Sequence, residues 1–369
     1  MFIKNLFLKS PQYLLLFVLG FLYYFFVLVN HTSLEYNYQY YLYDYQFGFI
    51  KRGFIGSLIN FLPFRTSFGL FKGISTIMII IIGIIIVKIV DYIDFKNKFF
   101  GYFLVSLLVV NPSLLKNFWF DLGRFDIYGI LMCLLIIYPF KKNISTIILL
   151  FSPTILFIHE GFFILWLPTY YVCWLIKNQY NIKNRNVKFS TFIFVTFSFL
   201  LMILISLNGK LSVDFHIFES YIRSKSSLPN ISVTDYVITT KENEFLNSFI
   251  ENFTHMKFWF LGITSILSMI YIVYLFCKLL KIDYSKYKII YIPLFFSFFM
   301  FFLGIDALRW FSNMNFSIYL ILLAILISNK ELLNNNEPNF IRLNFNDIFY
   351  LILLLLLFVP FNKLGLTSY

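Results

Sequence analysis

The sequence predicts an all-helical protein that crosses a membrane many times. Of its 369 residues, 60% are hydrophobic and only 13% are charged, whereas soluble domains are about 45–50% apolar and about 25% charged. Several apolar runs reach about 17–25 residues, the length that an α-helix needs to cross roughly 30 Å of hydrocarbon. A soluble enzyme is therefore excluded. A disordered chain is excluded as well, because Phe (51) and Tyr (26) abound and Pro (10) is scarce.

Runs free of Asp, Glu, Lys and Arg mark the candidate spans. The first, 13–30, follows Lys4 and Lys9, and because no small-residue cleavage site comes after it we expect a retained helix. The other runs are 73–87, 99–115, 127–140, 143–159, 161–176, 189–209, 258–277, 289–305, 313–329 and 348–362. The expected fold is a single polytopic membrane domain over residues 1–369 with about 11 transmembrane helices, within a range of 10–12.

The distribution of Lys and Arg predicts the orientation. With the N-terminus inside, the inner linkers hold most of the cations and only a third of the acids, as the positive-inside rule requires. Two long linkers, 31–72 and 208–257, then face outward. Orientation accounts for the net charge of +12, so we expect no nucleic-acid partner. The three cysteines lie in apolar runs, which predicts no disulfide bonds.

The middles of the predicted spans carry no acid, Lys or Arg, which argues against ion-coupled transporters and proton pumps. The charges gather instead at the predicted outer ends of the helices. They form four clusters: Glu35, Asp44, Lys51 and Arg52; Asp121, Arg124 and Asp126; His159 and Glu160; and Asp306, Arg309 and Trp310. The spans 143–159 and 161–176 are short, so His159 and Glu160 are expected below the outer surface, covered by protein. The clusters predict a polar cavity open to the outside.

Each cluster also has a structural interpretation. Lys51 and Arg52 can anchor a helix lying in the membrane plane. Asp121 and Arg124, at i and i+3 in the expected first turn of the fourth span, can form an ion pair, as can Asp306 and Arg309. Trp119 and Trp310 are expected in the interfacial aromatic belt. No second His follows His159 at helical spacing, so no metal site is expected.

The residue types suit an anionic phosphate group beside a hydroxyl nucleophile. Arg binds phosphate through paired, charge-assisted hydrogen bonds, and a carboxylate can deprotonate a sugar hydroxyl. Without an ATP-binding motif, the donor is expected to be lipid-linked. The candidate catalytic residues are Asp44, Asp121, Glu160 and Asp306, and the candidate substrate-binding residues are Lys51, Arg52, Arg124, His159, Arg309 and Trp310.

The chain resembles the O-antigen and capsule repeat-unit polymerases, the Wzy family. The resemblance lies in the number of spans, the large external linker late in the chain (208–257) and the external arginines. The resemblance implies polymerisation of undecaprenyl-diphosphate-linked oligosaccharides at the periplasmic face of the bacterial inner membrane, without a metal or cofactor. It also implies membrane lipids, a flippase and a chain-length regulator as partners. The family's Arg-x10-Gly pattern is lacking, since Pro63, Leu135 and Leu320 stand eleven residues after Arg52, Arg124 and Arg309.

Three other functions are left open by the sequence. Glu35, Asp44 and residues 47–64 are similar to the acidic first external loop of GT-C-type lipid-linked glycosyltransferases, although no Asp-x-Asp is present. A non-enzymatic flippase for lipid-linked oligosaccharides would need a cation-lined central cavity. A membrane O-acyltransferase would depend on His159.

Overall fold

The computed structural model describes residues 11–28, 35–61, 66–111, 113–179, 183–229, 231, 233, 256–303 and 307–335. Within these ranges the chain forms helices and turns and contains no strand, so the predicted helical class is confirmed there. The predicted span 348–362, Lys4, Lys9 and Asp306 lie outside the described residues, as do residues 230, 232 and 234–255 of the linker 208–257.

The helices, in chain order, are α1 (Pro11–Leu28), α2 (Glu35–Leu42), α3 (Phe54–Asn60), α4 (Phe68–Ile93), α5 (Lys98–Val110), α6 (Leu115–Phe120), α7 (Asp126–Ile137), α8 (Lys142–Phe151), α9 (Phe162–Leu165), α10 (Leu167–Lys177), α11 (Arg185–Asn208), α12 (Phe215–Lys225), α13 (Met256–Leu279), α14 (Tyr291–Phe298), α15 (Met300–Leu303), α16 (Ala307–Ser328) and α17 (Lys330–Asn335). Short 3-10 helices occupy Tyr45–Phe47, Ser152–Phe157 and Tyr284–Ile290.

Five helical segments in the described ranges are long and apolar enough to cross a membrane: Phe68–Ile93, Arg185–Asn208, Trp259–Leu279, Tyr284–Phe302 and Arg309–Ser328. Five shorter apolar segments are Pro11–Leu22, Lys98–Val109, Asp126–Ile137, Lys142–Phe157 and Phe162–Lys177. Each of these ten segments overlaps one of the predicted runs. The chain is therefore a membrane protein built of apolar helices.

Helix α16 occupies the centre of the bundle. It packs against α4, α7, α10, α13 and α14, and the side chains from Phe316 to Leu326 are all at most 2% exposed. A helix that is buried on every side belongs to the interior of a large bundle. By contrast, α11 exposes Phe189, Phe192 and Leu200, as a helix does when its surface faces lipid.

Polar side chains in α16 bond to four other segments of the bundle. The members are Ser312, Asn313, Asn315 and Ser317, each at most 2% exposed. Their partners are the carbonyl of Ser113, Asp126, Ser265 and Thr169, at 2.8, 2.9, 2.8 and 3.0 Å respectively. A buried polar group without a partner is costly, so these bonds fix the position of α16 along its axis. They thereby fix Arg309 in its first turn.

The turn between α6 and α7 differs from the expectation that residues 121–126 begin the fourth span. Helix α6 ends at Phe120 and α7 begins only at Asp126. Gly123 interrupts the helix, because its φ of +88° lies in the left-handed region that favours glycine. A methyl group at this position would also lie 2.2 Å from a ring carbon of Phe71. The residues between the helices therefore form a turn.

Candidate functional site

Four separated parts of the chain meet at one small pocket. The loop before α3 provides Arg52, the turn before α7 provides Arg124, the turn after Phe157 provides His159, and the first turn of α16 provides Arg309. Asn37, Tyr40 and Phe125 complete the lining of this pocket, whose cavity volume is about 10 Å³. Three guanidinium groups thus face the same pocket. No Asp or Glu is among these lining residues.

Asp126 does not line the pocket but forms hydrogen bonds with two of the three arginines. Its side chain is 0% exposed. Oδ2 accepts hydrogen bonds from Nε and Nη2 of Arg124, at 3.0 and 2.9 Å, and from Nε of Arg309, at 2.8 Å. Oδ1 accepts from Nδ2 of Asn313 at 2.9 Å. A buried carboxylate with such partners orients them firmly, and removing it would leave buried charge uncompensated.

Arg124 has a second carboxylate beside it. Its Nε lies 3.2 Å from Oδ2 of Asp121, so the predicted ion pair forms, across a turn rather than along a helix. Oδ1 of Asp121 accepts a hydrogen bond from Nδ2 of Asn37. The guanidinium of Arg124 also lies 5.4 Å from the centre of the Phe118 ring, within cation–π range. Arg124 is therefore held on several sides.

Arg52 is paired with Glu160. Its Nη2 lies 3.1 Å from Oε1 of Glu160, and its Nε lies 3.5 Å from Oε2. The two side chains are 13% and 22% exposed, and the guanidinium also lies 5.0 Å from the ring centre of Tyr40. Arg52 has a φ of +63°, a left-handed conformation that costs a non-glycine residue about 1–2 kcal/mol. Such local strain is concentrated at functional sites.

His159 lies close to both Glu160 and Arg309 and is 3% exposed. Its Nδ1 accepts a hydrogen bond from the backbone amide of Gly161 at 2.9 Å, so that nitrogen carries no proton and the ring is neutral. Its Nε2 lies 3.4 Å from Nη2 of Arg309. The ring stacks on Phe162, with ring centres 5.1 Å apart. His159 thus adds a polar wall to the pocket without adding charge.

The pKa of Glu160 reflects two opposing effects. Burial is the largest single effect and disfavours the charged carboxylate, but the positive charge of Arg52 and the hydrogen bonds to the carboxylate together outweigh burial and lower the pKa to about 2. The pKa of Arg52 is raised, because Glu160 and the nearby Tyr40 and Tyr36 together outweigh the effect of burial on the guanidinium. Both groups are therefore charged at neutral pH. While Glu160 remains bound to Arg52, its carboxylate is a weak base.

Asp44 belongs to a different cluster and is not among the residues that line the pocket. Its carboxylate accepts hydrogen bonds from the side chains of Asn60, Tyr221 and Lys225 and from the backbone amide of Gln46. The distance to Nζ of Lys225 is 2.6 Å, and the Asp44 side chain is 3% exposed. These bonds tie α12 to the linker 31–72. Asp44 thus joins the two long linkers, and its position gives no support to the predicted catalytic role.

Two other predicted residues lie beside the pocket without lining it. Lys51 is half-buried, and its Cγ lies next to Gly209. Trp310 is 4% exposed, with its ring 5.1 Å from the guanidinium of Arg309. Trp119 is 2% exposed. The expectation that Trp119 and Trp310 face the membrane interface is therefore wrong, because protein covers both rings.

Asn37, Tyr40 and Phe125 also line the pocket. They carry no charge, so the pattern of charged clusters in the sequence does not predict them. Asp126 did carry a signal, as an acid at the boundary of an apolar run, yet it was not among the predicted site residues. Within the described ranges, no three His, Cys, Asp or Glu side chains converge as metal ligands.

Comparisons with protein-family models, with curated proteins and with solved structures find no match for this chain. The functional assignment therefore rests on the residues and geometry of the pocket.

Proposed function

We propose that this chain polymerises undecaprenyl-diphosphate-linked oligosaccharide repeat units, transferring a glycan with loss of a lipid diphosphate. The observation that carries the proposal is the convergence of Arg52, Arg124 and Arg309 on one pocket whose lining includes no carboxylate. Guanidinium groups bind phosphate oxygens through paired, charge-assisted hydrogen bonds. The space now open between these side chains is about 10 Å³, close to what one water molecule needs, so binding of the phosphate portion of the donor requires the lining side chains to move apart.

The same arginines suit the departure of the lipid diphosphate. As the glycosidic bond breaks, negative charge grows on the leaving phosphate oxygen, and donors already aimed at that position stabilise the transition state. Asp126 supports this role, because it orients Arg124 and Arg309 before any ligand arrives. Preorganised donors do not have to be reoriented during the reaction.

The proposed topology has the N-terminus inside and about 11 spans, with the pocket facing the periplasm. The excess of Lys and Arg in the shorter linkers supports this orientation. In that topology, the four pocket turns share the outer face of the bacterial inner membrane. A lipid-linked donor would reach them from the outer leaflet.

A single glycosyl transfer by a GT-C-type enzyme is the second candidate. It is favoured by the short helices α2 and α3 in the linker 31–72, which pack on one another. That linker also contributes Asn37, Tyr40 and Arg52 to the pocket. A flippase is less favoured, because the three arginines lie at helix ends and turns rather than along the centre of the bundle.

Deletion of the gene and electrophoresis of the cell's lipopolysaccharide test the proposal. Loss of a polymerase leaves core that carries one repeat unit, and a plasmid copy restores the ladder. Bare or altered core would point instead to a single transferase or a flippase. A full-length ladder lacking one modification would point to an acyltransferase. Bare core, altered core or a ladder that lacks one modification would overturn the polymerase assignment.

A further inference from the structure

The three arginines of the pocket are held in two different ways. Arg124 and Arg309 share Asp126, which is 0% exposed and receives its hydrogen bonds at 2.8 to 3.0 Å. Arg52 is held by Glu160 through contacts of 3.1 and 3.5 Å, and that carboxylate is 22% exposed. Partly exposed ion pairs contribute little stability, whereas buried and fully bonded ones are hard to separate. The Arg52–Glu160 pair is therefore the one that a ligand can exchange.

An anion in the pocket would compete with Glu160 for Arg52. Arg52 lines the pocket and Glu160 does not, so we expect a phosphate bound in the pocket to meet the arginine rather than the carboxylate. Phosphate oxygens match the paired N–H geometry of arginine as well as a carboxylate does. Binding of the phosphate would then weaken the hold of Arg52 on Glu160.

Glu160 differs in this respect from the three other carboxylates of the site region, Asp44, Asp121 and Asp126. Asp44 bonds to groups in the two long linkers, and Asp126 is fully buried between two arginines and Asn313. Asp121 contacts Asn37 and Arg124, and Arg124 remains tied to Asp126. Glu160 contacts Arg52 and lies 3.8 Å from Nδ1 of the neutral His159.

We propose that Glu160 is the general base of the glycosyl transfer and that Arg52 masks it until a phosphate of the bound donor takes over the Arg52 guanidinium. This inference rests on the proposed function. Its advantage is that the base becomes effective only when the donor is in place. A free pocket then has little capacity to activate water.

The bonds and protons balance without a further reactant. The hydroxyl oxygen of the acceptor sugar forms a bond to the anomeric carbon of the donor as its proton passes to the carboxylate of Glu160. The bond between that carbon and the phosphate oxygen breaks, and the electron pair leaves with the lipid diphosphate, held by the arginines. Glu160 afterwards returns the proton to water.

The electrostatics agree with such a switch. With Arg52 in place, the pKa of Glu160 is lowered to about 2. Removal of that positive charge lets the pKa rise toward the ordinary value of about 4.3, and burial takes it higher. General-base catalysis is more efficient as the pKa approaches the working pH. The released carboxylate is therefore the better base.

Binding of inorganic pyrophosphate to the purified full-length protein, in lipid nanodiscs, tests the exchange directly. We expect Glu160→Gln to bind pyrophosphate more tightly than wild type, about tenfold, because the competing carboxylate is gone. We expect Asp126→Asn to bind it at least tenfold more weakly, because two arginines lose their orienting partner. Asp283→Asn removes an exposed carboxylate far along the chain and should leave binding unchanged. Equal or weaker binding by a folded Glu160→Gln protein would overturn the exchange.

Transfer assays with a lipid-diphosphate donor test the base. Glu160→Gln should lose at least about a hundredfold in kcat, within the range ascribed to general-base catalysis. Glu160→Asp keeps the charge and should retain part of the rate. In wild type, the acidic limb of kcat should lie at higher pH than that of kcat/KM, since kcat reports the donor complex. Coincident limbs, or an active Glu160→Gln protein, would overturn the role of Glu160.

The two proposals fail differently. If wild type transfers no glycan from any lipid-diphosphate donor, the proposed function falls, whatever pyrophosphate binding shows. If wild type transfers glycan while Glu160→Gln retains its rate, only the masked base falls. Should Glu160→Gln fail to give a monodisperse protein, Glu160→Asp carries both measurements, with a smaller gain in pyrophosphate affinity expected.

Discussion

Arg309 and Asp126 are separated by 183 residues in the chain, yet Nε of Arg309 donates to Oδ2 of Asp126 at 2.8 Å. The same oxygen accepts from Arg124. One carboxylate therefore sets the spacing of two guanidinium groups, one from the turn before α7 and one from the first turn of α16.

Removal of the Asp126 carboxylate should destabilise the protein strongly. We expect Asp126→Ala to lower the free energy of unfolding by about 3–5 kcal/mol, because it leaves two partly or fully buried arginines without their shared partner. Asp126→Asn should lower it less. Thermal unfolding in detergent measures both, with Asp283→Asn, half-exposed, as the control. An Asp126→Ala protein as stable as the control would contradict the assignment.

The arginines themselves should be needed for function rather than for membrane insertion. Arg52→Ala, Arg124→Ala and Arg309→Ala should each abolish the lipopolysaccharide ladder while the protein reaches the membrane at normal levels. Each change removes from the pocket a guanidinium that would donate hydrogen bonds to phosphate, and hydrogen bonds to charged groups contribute about 1.5–3 kcal/mol. Lys210→Ala, an exposed cation in the other long linker, is the matched control. Normal ladders in all three arginine variants would remove them from the site.

The junction between the two long linkers should depend on pH. Burial opposes ionisation of Asp44, but hydrogen bonds from Lys225 and Tyr221 outweigh burial and lower its pKa below the usual 3.8. A lowered folded-state pKa contributes stability that is fully present above about pH 4 and is lost as the pH falls through the lowered value. We therefore expect Asp44→Asn to be less stable than wild type by about 3 kcal/mol at pH 7 and the difference to shrink below pH 4.

Thermal unfolding of wild type and Asp44→Asn at pH 7 and at successively lower pH checks this junction. The matched control is Glu219→Gln, which breaks a more exposed ion pair with Arg223 on the same helix α12. Such i,i+4 pairs contribute about 0.3–0.5 kcal/mol. A difference between wild type and Asp44→Asn that grows as the solution becomes more acidic would refute the sign of the coupling.

The proposed orientation predicts which positions can be labelled from outside the cell. His216→Cys, on α12 with a side chain 88% exposed, should react with a membrane-impermeant maleimide in intact spheroplasts. Lys286→Cys, 70% exposed in the 3-10 helix that follows α13, should react only after permeabilisation. The native cysteines Cys133, Cys173 and Cys277 are buried, so their background should be low. The reverse pattern of labelling would invert the topology.

The apolar helices were predictable because hydrocarbon imposes length and composition on any segment that crosses it. The breaks between apolar runs near Arg52, Arg124 and Glu160 were predictable for the same reason, although residues 121–126 were expected to be helical. Asp126 could not be singled out in this way. Its importance comes from Arg309, 183 residues away, and no local pattern reveals that pairing.

The partner of each charge was the part that sequence reasoning could not supply. Asp121 and Arg124 were expected to pair because they are close in sequence, and they do. Arg52 pairs with Glu160 across 108 residues, and Asp44 with Lys225 across 181 residues. These contacts depend on how the helices pack. The expected helix start at Asp121 was wrong because the backbone of Gly123 adopts a left-handed conformation.

Helix α16, with its polar bonds to four neighbouring segments, cannot slide or rotate without breaking several of them. The wall of the pocket that carries Arg309 is accordingly rigid. Entry of a sugar larger than the present space then requires the opposite wall, formed by Asn37, Tyr40 and Arg52, to swing outward. The bond between Asp44 and Lys225 ties the linker that carries these residues to α12, so substitutions there should alter how fast bulky donors enter more than how tightly their phosphates are held.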